Sequence, residues 1–585
     1  MPTLPQPQAA SPPKPIPVCA QARVYMLICA AKCGELAQPI RYTLCQSRLF
    51  WRKTAMPQPA DLIISNARVL TQDLVVPRAA AVAVRGTRIV AVGSAEDCAE
   101  FKGPATRVVD AQQCTLLPGF IDSHLHLLWG AIGLGHAQLQ AAASAADVQR
   151  LLREHDHAHA GQPGLRGQGL RYNIISARGQ LDAVAADRPL LVTAYDGHTA
   201  WANTCALQQA GILNGGEPSG PNSVIVRDAA GVATGELREA GAMEPVRKLF
   251  PDPSTARQRQ LVQHAVQLLN AAGVTSVHNM DGDLEQMQLY QAMERAHEMN
   301  LRVYVPYHVT PAATLEMLAV AAEMQSVRGA FVRGGAAKFF MDGVLESYTA
   351  LLVTPYADAP HTRGDALFSL EHFIRMAAAC DRMGLQVAVH CCGDGAVRRA
   401  LDGFAEIQHL NGPRDSRHRI EHIELIAPAD LQRFRKLGVI ASMQTAHCPP
   451  DMLATDVWPA RAGHDRWPLS FAWRAVRTCG AHFVNGSDWS VAPFNPMLGL
   501  DAGLNRLPWA PGQPNDHLTL YQLLPGYTRD AAWAEFKEHE KGRICSGLLA
   551  DLVLLDADLE QTATELVKNV RPVMTIVDGR IVHGA

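Results

Sequence analysis

The sequence predicts an α/β protein, a (β/α)8 TIM barrel that carries a small composite β-sandwich formed from its N- and C-terminal segments. Short strand-like segments alternate with helical patterns through the middle of the chain, as in βα units around a parallel sheet. Eight such segments can be counted, the number that closes a barrel. They begin near Leu117, Val274, Leu301, Ala336, Leu385, His418, Val439 and His482.

The β-sandwich is predicted from residues 56–117 together with residues 536–585. In the first segment, two apolar stretches flank residues 85–88, which form a hairpin signature. In the second, apolar stretches surround a turn at residues 578–579. Neither segment can bury a core by itself, so we expect the two to pair.

The barrel is predicted to span residues 118–535. The stretch from about residue 130 to residue 260 is too long for one connection, and it contains a strand of its own at residues 190–195. Active sites of such barrels lie at the C-terminal ends of the strands. We therefore expect this insertion to form a lid over the catalytic face.

The composition is that of a globular enzyme. The 585 residues are 48% hydrophobic and 19% charged, with a formal net charge of −3, which gives no reason to expect nucleic acid or a membrane as a partner. No uninterrupted apolar run is long enough to span a bilayer. The 13 cysteines show no paired framework, so reduced thiols and a cytoplasmic location are expected. Residues 1–55 are expected to be a disordered extension, with the functional chain beginning near Met56.

A His-x-His pair at the end of the first barrel strand is the starting point for the chemistry. Side chains alternate along a strand, so His124 and His126 point to the same face. Two imidazoles at one strand end can bind one cation, and neutral imidazole suits zinc and its neighbours. The alternative is a pair of core histidines, and later strand ends decide between the two.

Four later positions add groups of the same kind. Lys338 stands in the fourth strand, where an ammonium would be desolvated and repelled by a cation. Its pKa should fall, and a neutral lysine can react with CO2 to give an anionic carbamate; the alternative is an ordinary ion pair with Asp342. His390 and His422 end the fifth and sixth strands, and Asp488 follows the eighth.

This ordered set resembles the amidohydrolase superfamily of metal-dependent hydrolases. More closely, it resembles the amidohydrolase-3 (YtcJ-like) branch, which is related to N-substituted formamide deformylase. The resemblance covers the chain from Met56 to its end. The segments that carry it are residues 117–126, 196–203, 338–343, His390 with 393–394, 421–422, 486–489 and 547–552.

The resemblance implies one or two divalent metal ions, with zinc the expected one. The ligands that it implies are His124, His126 and Asp488 for the first metal and His390 and His422 for the second, with carboxylated Lys338 bridging both. A metal-activated hydroxide would attack the carbonyl carbon of a non-peptide amide of the N-acyl or N-formyl type. Asp488 would accept the proton of the water and pass it to the leaving nitrogen. Acceptors for the outer ring nitrogens are expected among Asp122, Glu421 and Asp394.

Alternatives of other classes stay open. One is a mononuclear deaminase of the same superfamily, against which Lys338 argues. Another is a non-catalytic scaffold or binding protein with the same fold, against which the complete ligand set argues. The expected partner is a small-molecule substrate, with no nucleic acid and no membrane, and a homodimer is the default expectation.

Substrate contacts are expected from residues outside the ligand set: His198, Trp201, Glu346, Tyr348 and His447. For His198 a structural hydrogen bond is an equal alternative. Glu346 and Tyr348 replace a small residue and a cation of the family pattern, so the substrates of the family do not carry over directly. The histidine-rich stretch at residues 153–159 is expected to be a solvated helix end.

Overall fold

The computed structural model describes residues 58–584 apart from residues 451, 453–456 and 514. The predicted N-terminal extension, residues 1–55, lies outside the described residues. Among the helices that are described, none combines the length and the apolar character needed to cross a bilayer.

Two sheets form the β-sandwich. The first has the strand order β5-β4-β1-β6 and the second the order β24-β23-β22-β7-β2-β3. Their strands are β1 (Leu62–Ser65), β2 (Arg68–Leu70), β3 (Arg78–Ala79), β4 (Ala81–Arg85), β5 (Arg88–Gly93), β6 (Arg107–Asp110), β7 (Thr115–Pro118), β22 (Leu552–Leu555), β23 (Pro572–Val577) and β24 (Arg580–His583). β7 pairs antiparallel with β22, with Leu116 opposite Leu554. The sandwich is therefore composite, as the sequence predicted.

An eight-stranded parallel sheet forms the barrel, with the strand order β21-β20-β19-β18-β17-β16-β15-β8. Its strands are β8 (Phe120–Leu125), β15 (Val274–Asn279), β16 (Arg302–His308), β17 (Val332–Phe340), β18 (Gln386–Cys391), β19 (Arg419–His422), β20 (Ile440–Met443) and β21 (His482–Asn485). The ring closes where His126 N donates to Trp489 O at 2.8 Å and Asp488 N donates to His124 O at 2.6 Å. The predicted TIM barrel is confirmed, although its fourth strand begins at Val332, before the expected Ala336.

Amphipathic helices cover the outside of the barrel. Leu370–Arg382 is typical: the Ser369 hydroxyl accepts from His372 N at its start, and Phe373, Met376 and Ala377 are buried on one face. Burial of such a large apolar side chain contributes about 1.5–3 kcal/mol. The helices that follow the insertion are Thr255–Ala271, Leu284–Arg295, Leu318–Ser326, Leu370–Arg382, Asp394–Asn411, Leu431–Leu437, Trp458–Ala462, Trp473–Thr478, Pro496–Asn505, Leu520–Leu523 and Arg529–Ala534.

The insertion between β8 and β15 has its own sheet, with the strand order β13-β14-β12-β11-β10-β9. Its strands are β9 (Ala137–Gln138), β10 (Leu165–Leu170), β11 (Leu190–Ala194), β12 (Thr199–Ala202), β13 (Val224–Arg227) and β14 (Ala233–Arg238). The helices that precede Thr255 are Ala95–Ala99, which lies in the sandwich segment, and Leu127–Gly133, Ala145–Ala158, Gly179–Asp182, Thr204–Gln209 and Ala240–Arg247. The histidine-rich stretch ends the helix Ala145–Ala158 with His157 and His159 exposed, as predicted.

Candidate active site

Asp488 is held at the barrel mouth by the loop that follows β21. The loop passes so close to β8 that a Cβ at Gly486 would lie 2.5 Å from the backbone nitrogen of His124, which requires glycine there. Asp488 has a φ of +58°, a left-handed conformation that costs a non-glycine residue about 1 kcal/mol or more. The backbone therefore keeps this carboxylate against the end of β8 in a strained conformation of the kind found at functional sites.

The two histidines at the end of β8 face this carboxylate. Nε2 of His126 lies 3.0 Å from Asp488 Oδ1, and Nε2 of His124 lies 3.4 Å from the same oxygen. The other ring nitrogen of His124 donates to Glu421 Oε2 at 2.7 Å. The other ring nitrogen of His126 lies 3.4 Å from Asp281 Oδ1. Each acid orients its ring so that Nε2 faces Asp488.

The pKa shifts in this group follow from burial and from mutual charge. Burial opposes ionisation of Asp488, but the adjacent His124 and His126 outweigh it and hold its pKa well below the usual range. Burial lowers the pKa of His124 to about 4, and Lys338 adds to the effect. Burial also acts to lower the pKa of His126, yet Asp281 raises it to about 9. At neutral pH Asp488 is thus an anion and His124 keeps a free lone pair, whereas a cation bound at His126 would displace a proton.

His390 and His422 end neighbouring strands, and their ring centroids are 4.5 Å apart. Nδ1 of His422 donates to Gln444 Oε1 at 2.9 Å, and Nε2 of His390 donates to Gly343 O at 3.1 Å. Burial lowers the pKa of both rings well below the usual value, so both are neutral. In each ring one nitrogen is held by an oxygen acceptor and the other keeps its lone pair.

Several buried polar atoms at this point have no hydrogen-bond partner among the described residues. Nε2 of His124 and Nε2 of His447 are two of them. Ligand atoms of His124, His422 and Asp488 all lie within 4.8 Å of one another. Unpartnered buried polar atoms are costly, and converging imidazoles with a carboxylate are donors that divalent transition metals prefer. The residues present therefore fit a metal ion.

Lys338 enters the barrel from β17, and its side chain is fully buried. Nζ donates to Met280 O at 3.3 Å and lies 4.3 Å from the centroid of the Phe340 ring. Burial lowers the pKa of Lys338 to about 8, against the opposing influence of nearby carboxylates. Asp342, its alternative partner in the sequence interpretation, instead accepts hydrogen bonds from three backbone nitrogens. A substantial fraction of Lys338 is therefore neutral near pH 8. Carbamate formation requires this neutral amine.

Of the three acids expected to accept from histidine rings, Glu421 does so and the other two have different roles. Asp122 Oδ1 accepts from His124 N at 3.1 Å and from Ser487 N at 3.0 Å. Asp394 accepts from Val353 N at 2.9 Å. Both acids therefore hold backbone segments in place instead of accepting from histidine rings. The sequence alone did not show which loops lie beside them.

The ring neighbours that sequence reasoning missed are Asp281, beside His126, and Gln444, which accepts from His422. Asp281 closely follows the end of β15, so the strand-end argument could have found it. Gln444 follows the end of β20 in the same way, but an amide carries no signal of metal chemistry. Its role becomes visible only through its contact with His422.

A cavity of about 840 Å³ opens from this group of ligand candidates. Its volume suits a small organic molecule. Barrel loops supply apolar walls that include Phe340, Leu367 and Phe471, and the insertion supplies others that include Trp129 and Met243. The insertion is therefore part of the pocket wall, as expected of a lid.

Three of the five predicted substrate-contact residues line this cavity, namely His198, Glu346 and His447. Trp201 does not, because it is packed in the hydrophobic core of the insertion. Tyr348 is also outside the lining: its hydroxyl donates to Asp358 Oδ2 at 2.9 Å, and its ring stacks on Arg461. Trp201 and Tyr348 lie in or next to segments that carry the family resemblance, but the fold turns their side chains away from the pocket.

His198 is held in the cavity wall by an acid of the insertion. Its Nδ1 donates to Glu239 Oε2 at 3.0 Å, and Glu239 Oε1 also accepts from Thr349 Oγ1 at 2.5 Å. Burial acts to lower the pKa of His198, but Glu239 raises it to about 9. The ring centroid lies 5.5 Å from that of His390. This contact joins the insertion to His390 and His422. No pattern in the sequence indicated that Glu239 would take part in the site.

A TIM barrel whose strand ends bring buried imidazoles and a carboxylate to one point is the architecture of a barrel hydrolase. A comparison with family models gives the same class, since the amidohydrolase family (Amidohydro_3) matches residues 107–583. The chain therefore belongs to the amidohydrolase family and is a hydrolase, as the resemblance in the sequence implied.

Individual relatives cover nearly the whole chain. YtcJ of Bacillus subtilis (strain 168), named as an amidohydrolase, is 29% identical over 86% of this chain and 96% of its own length. N-substituted formamide deformylase of Arthrobacter pascens is 26% identical over 90% of this chain and 98% of its own. A metal-dependent hydrolase of Pyrococcus horikoshii, known from its crystal structure, superposes with a TM-score of 0.68 at 23% identity, covering 87% of this chain and 98% of its own. This last likeness concerns the fold.

Proposed function

We propose that the protein is a metal-dependent amidohydrolase that cleaves a carbon–nitrogen bond of a non-peptide amide, of the N-acyl or N-formyl type. The observation that carries the proposal is the convergence of His124, His422 and Asp488, whose buried ligand atoms lie within 4.8 Å of one another. The similarity to a formamide deformylase supports the choice of bond.

The proposed ligands use the nitrogens that no oxygen acceptor holds. His124, His126 and Asp488 would hold one divalent cation, with zinc the expected metal. His390 and His422 would hold a second, and carboxylated Lys338 would supply an anion between the two. When bound, such cations polarise a carbonyl oxygen and lower the pKa of water towards neutrality.

The residues of the chain provide the proton transfers and the orientation. Asp488, ionised and facing the cavity, accepts the proton of the attacking water on its carboxylate and delivers it to the leaving nitrogen. His198, which lines the cavity and is oriented by Glu239, would hydrogen-bond the polar group of the substrate. The apolar walls around Trp129 and Phe340 exclude water from the rest of the amide.

The deciding experiment is elemental analysis of metal per chain in protein produced with a divalent metal and bicarbonate. The parent is compared with Lys338→Ala and with Lys436→Ala, an exposed lysine outside the site. We expect two metals in the parent and in the control, and a clear loss in Lys338→Ala. The parent is then screened for release of amine from N-formyl and N-acyl compounds.

Other results would change the assignment. One metal in the parent and in Lys338→Ala alike would refute the bridging role of Lys338 and direct the screen to ammonia release from heterocycles, the deaminase alternative. No metal in any of the three proteins would refute the metal-dependent mechanism.

A further inference from the structure

Arg247 gives the cavity a positive charge at the end of a helix of the insertion. The helix Ala240–Arg247 belongs to the insertion, and three residues along one of its faces, Ala240, Met243 and Arg247, line the cavity. This helix directly follows Glu239, the acid that holds His198. One end of the helix is therefore beside the proposed reaction centre, and Arg247 is at the other end.

No acid of the described chain lies within ion-pair distance of the Arg247 guanidinium. The guanidinium donates to Met243 Sδ at 3.9 Å. Glu239 is engaged by His198 and Thr349, and Glu244 lies 3.8 Å from Lys248. The nearest acids of this helix thus have other partners.

Burial outweighs the neighbouring acids at this position. Burial lowers the pKa of Arg247, although Glu244 and Glu239 act to raise it. Burial and the charge of Arg247 lower the pKa of Arg166 on β10, against the opposing influence of Asp252. Paired arginines of the same chain behave oppositely: Arg302 and Arg417 have raised pKa values despite burial, because each contacts two carboxylates. Arg247, which is half-buried, therefore lacks the close carboxylate contacts that stabilise the charges of Arg302 and Arg417.

We propose that this end of the cavity binds a carboxylate of the substrate. The inference rests on the proposed function for the identity of the reacting bond, and it narrows the substrate class to amides that carry an anionic group at their far end. Arg171, which follows β10 and lines the same cavity, adds a second guanidinium to the subsite. A guanidinium binds a carboxylate through two parallel hydrogen bonds, so such a subsite is directional as well as charged.

The length of the helix Ala240–Arg247 indicates how far the carboxylate of the substrate lies from its reacting carbonyl. Arg247 comes eight positions after Glu239, which corresponds to a rise of about 12 Å along a helix axis. Arginine side chains in helices lean back towards the N-terminus, so the distance between reacting carbonyl and carboxylate is shorter than this rise. A zigzag chain of C–C bonds of about 1.5 Å advances about 1.25 Å per methylene group, so five to seven methylene groups cover about 6–9 Å. Linear N-formyl ω-amino acids of this length therefore fit a spacing below about 12 Å.

The test measures binding without depending on turnover. The metal-loaded protein is titrated calorimetrically with 6-phenylhexanoate and with the uncharged 6-phenylhexan-1-ol, which share the apolar part. The same titrations are made with Arg247→Gln, with Arg171→Gln and with Arg257→Gln. Arg257 is an exposed arginine at the start of the next helix and serves as the matched control.

We expect the parent and Arg257→Gln to bind the acid at least ~10-fold more tightly than the alcohol, as a charge-assisted pair allows. Arg247→Gln should lose that preference while its affinity for the alcohol is unchanged, and Arg171→Gln should lose part of it. Equal binding of the acid by the parent and by both cavity variants would overturn the proposal, since the carboxylate would then be held elsewhere, for example at the metal. Failure of the parent to bind the acid would overturn it as well.

A kinetic arm separates this inference from the proposed function. N-formyl-6-aminohexanoate is compared with its methyl ester in the parent and in Arg247→Gln. Hydrolysis of both compounds at equal efficiency would refute the carboxylate subsite and leave the amidohydrolase intact. Hydrolysis of neither would contradict the proposed bond type, and the binding titrations would still decide whether the subsite exists.

Discussion

The two ends of the barrel are both rich in buried charge, but they use it in opposite ways. At the N-terminal ends of the strands, Arg302 binds Asp551 at 2.7 Å and Asp578 at 2.9 Å. At the C-terminal ends, Nε2 of His124 and Nε2 of His447 are buried without a hydrogen-bond partner in the described part of the chain. Paired charges stabilise a fold, whereas buried side-chain atoms that converge without hydrogen-bond partners indicate a site for a ligand. The comparison separates residues that support the barrel from residues that act.

The largest effect is expected from Asp488→Asn, which tests the active end. The amide cannot accept the proton of water, so turnover should fall by about 10²- to 10⁴-fold. Metal content should largely remain, since the four histidines stay in place, and urea unfolding should change little. The measurements are steady-state rates on an N-formyl amine and elemental analysis. A variant with near-normal turnover would remove Asp488 from the mechanism.

Asp551→Asn is the corresponding test of the supporting end. It leaves the buried Arg302 with an incomplete set of carboxylates, and breaking a buried pair costs about 3–5 kcal/mol of unfolding free energy. Metal content and kcat of the folded protein should be unchanged. Urea unfolding, with exposed Asp187→Asn as the control, measures the difference. Loss of kcat at unchanged stability would contradict the division between the two ends.

Glu239→Gln tests whether the part of the insertion that lines the cavity affects substrate turnover or metal binding. The substitution weakens the hold on His198, so kcat/KM should fall by about 10- to 30-fold, as expected for loss of one charge-assisted hydrogen bond. Metal content should be unaffected, because Glu239 contacts His198 and Thr349 rather than the ligand candidates. Glu236→Gln, which alters a partly exposed pair with Arg238, is the control. A loss of metal in Glu239→Gln would assign this acid to the metal site instead.

The smallest effect is a pH dependence at the supporting end. Burial alone would raise the pKa of Asp381, but hydrogen bonds from His418, Asn411 and Arg414 lower it to about 2. A lowered carboxyl pKa contributes stability that is complete above the unfolded value, near 3.8, and is lost as pH falls through about 2. Asp381→Asn should therefore lower the unfolding free energy by about 1–2 kcal/mol at pH 7.

The same substitution should have progressively less effect below pH 4. Urea unfolding of the parent and of Asp381→Asn at pH 7 and at the lowest pH at which both fold measures the trend. A difference that grows on acidification would show that Asp381 is not held as an anion by these partners.

The sequence alone determined the ligand candidates and the fold because both depend on local patterns. His-x-His, Lys338, His390, His422 and Asp488 all occur at strand ends, and parallel strands of a closed barrel must bring those ends to one face. The composite sandwich was predictable for a similar reason, since neither terminal segment has enough apolar surface to form a core.

Only the tertiary structure decided which neighbours orient these groups and which residues reach the cavity. Asp281, Gln444 and Glu239 act through side-chain contacts across long sequence distances, and no periodicity encodes them. Trp201 lies within the segment 196–203, and Tyr348 follows the segment 338–343. Both turn away from the pocket, because packing in the insertion and backbone geometry set their directions. The charge of Arg247 was readable from sequence, but the lack of a nearby acid is a property of the folded chain.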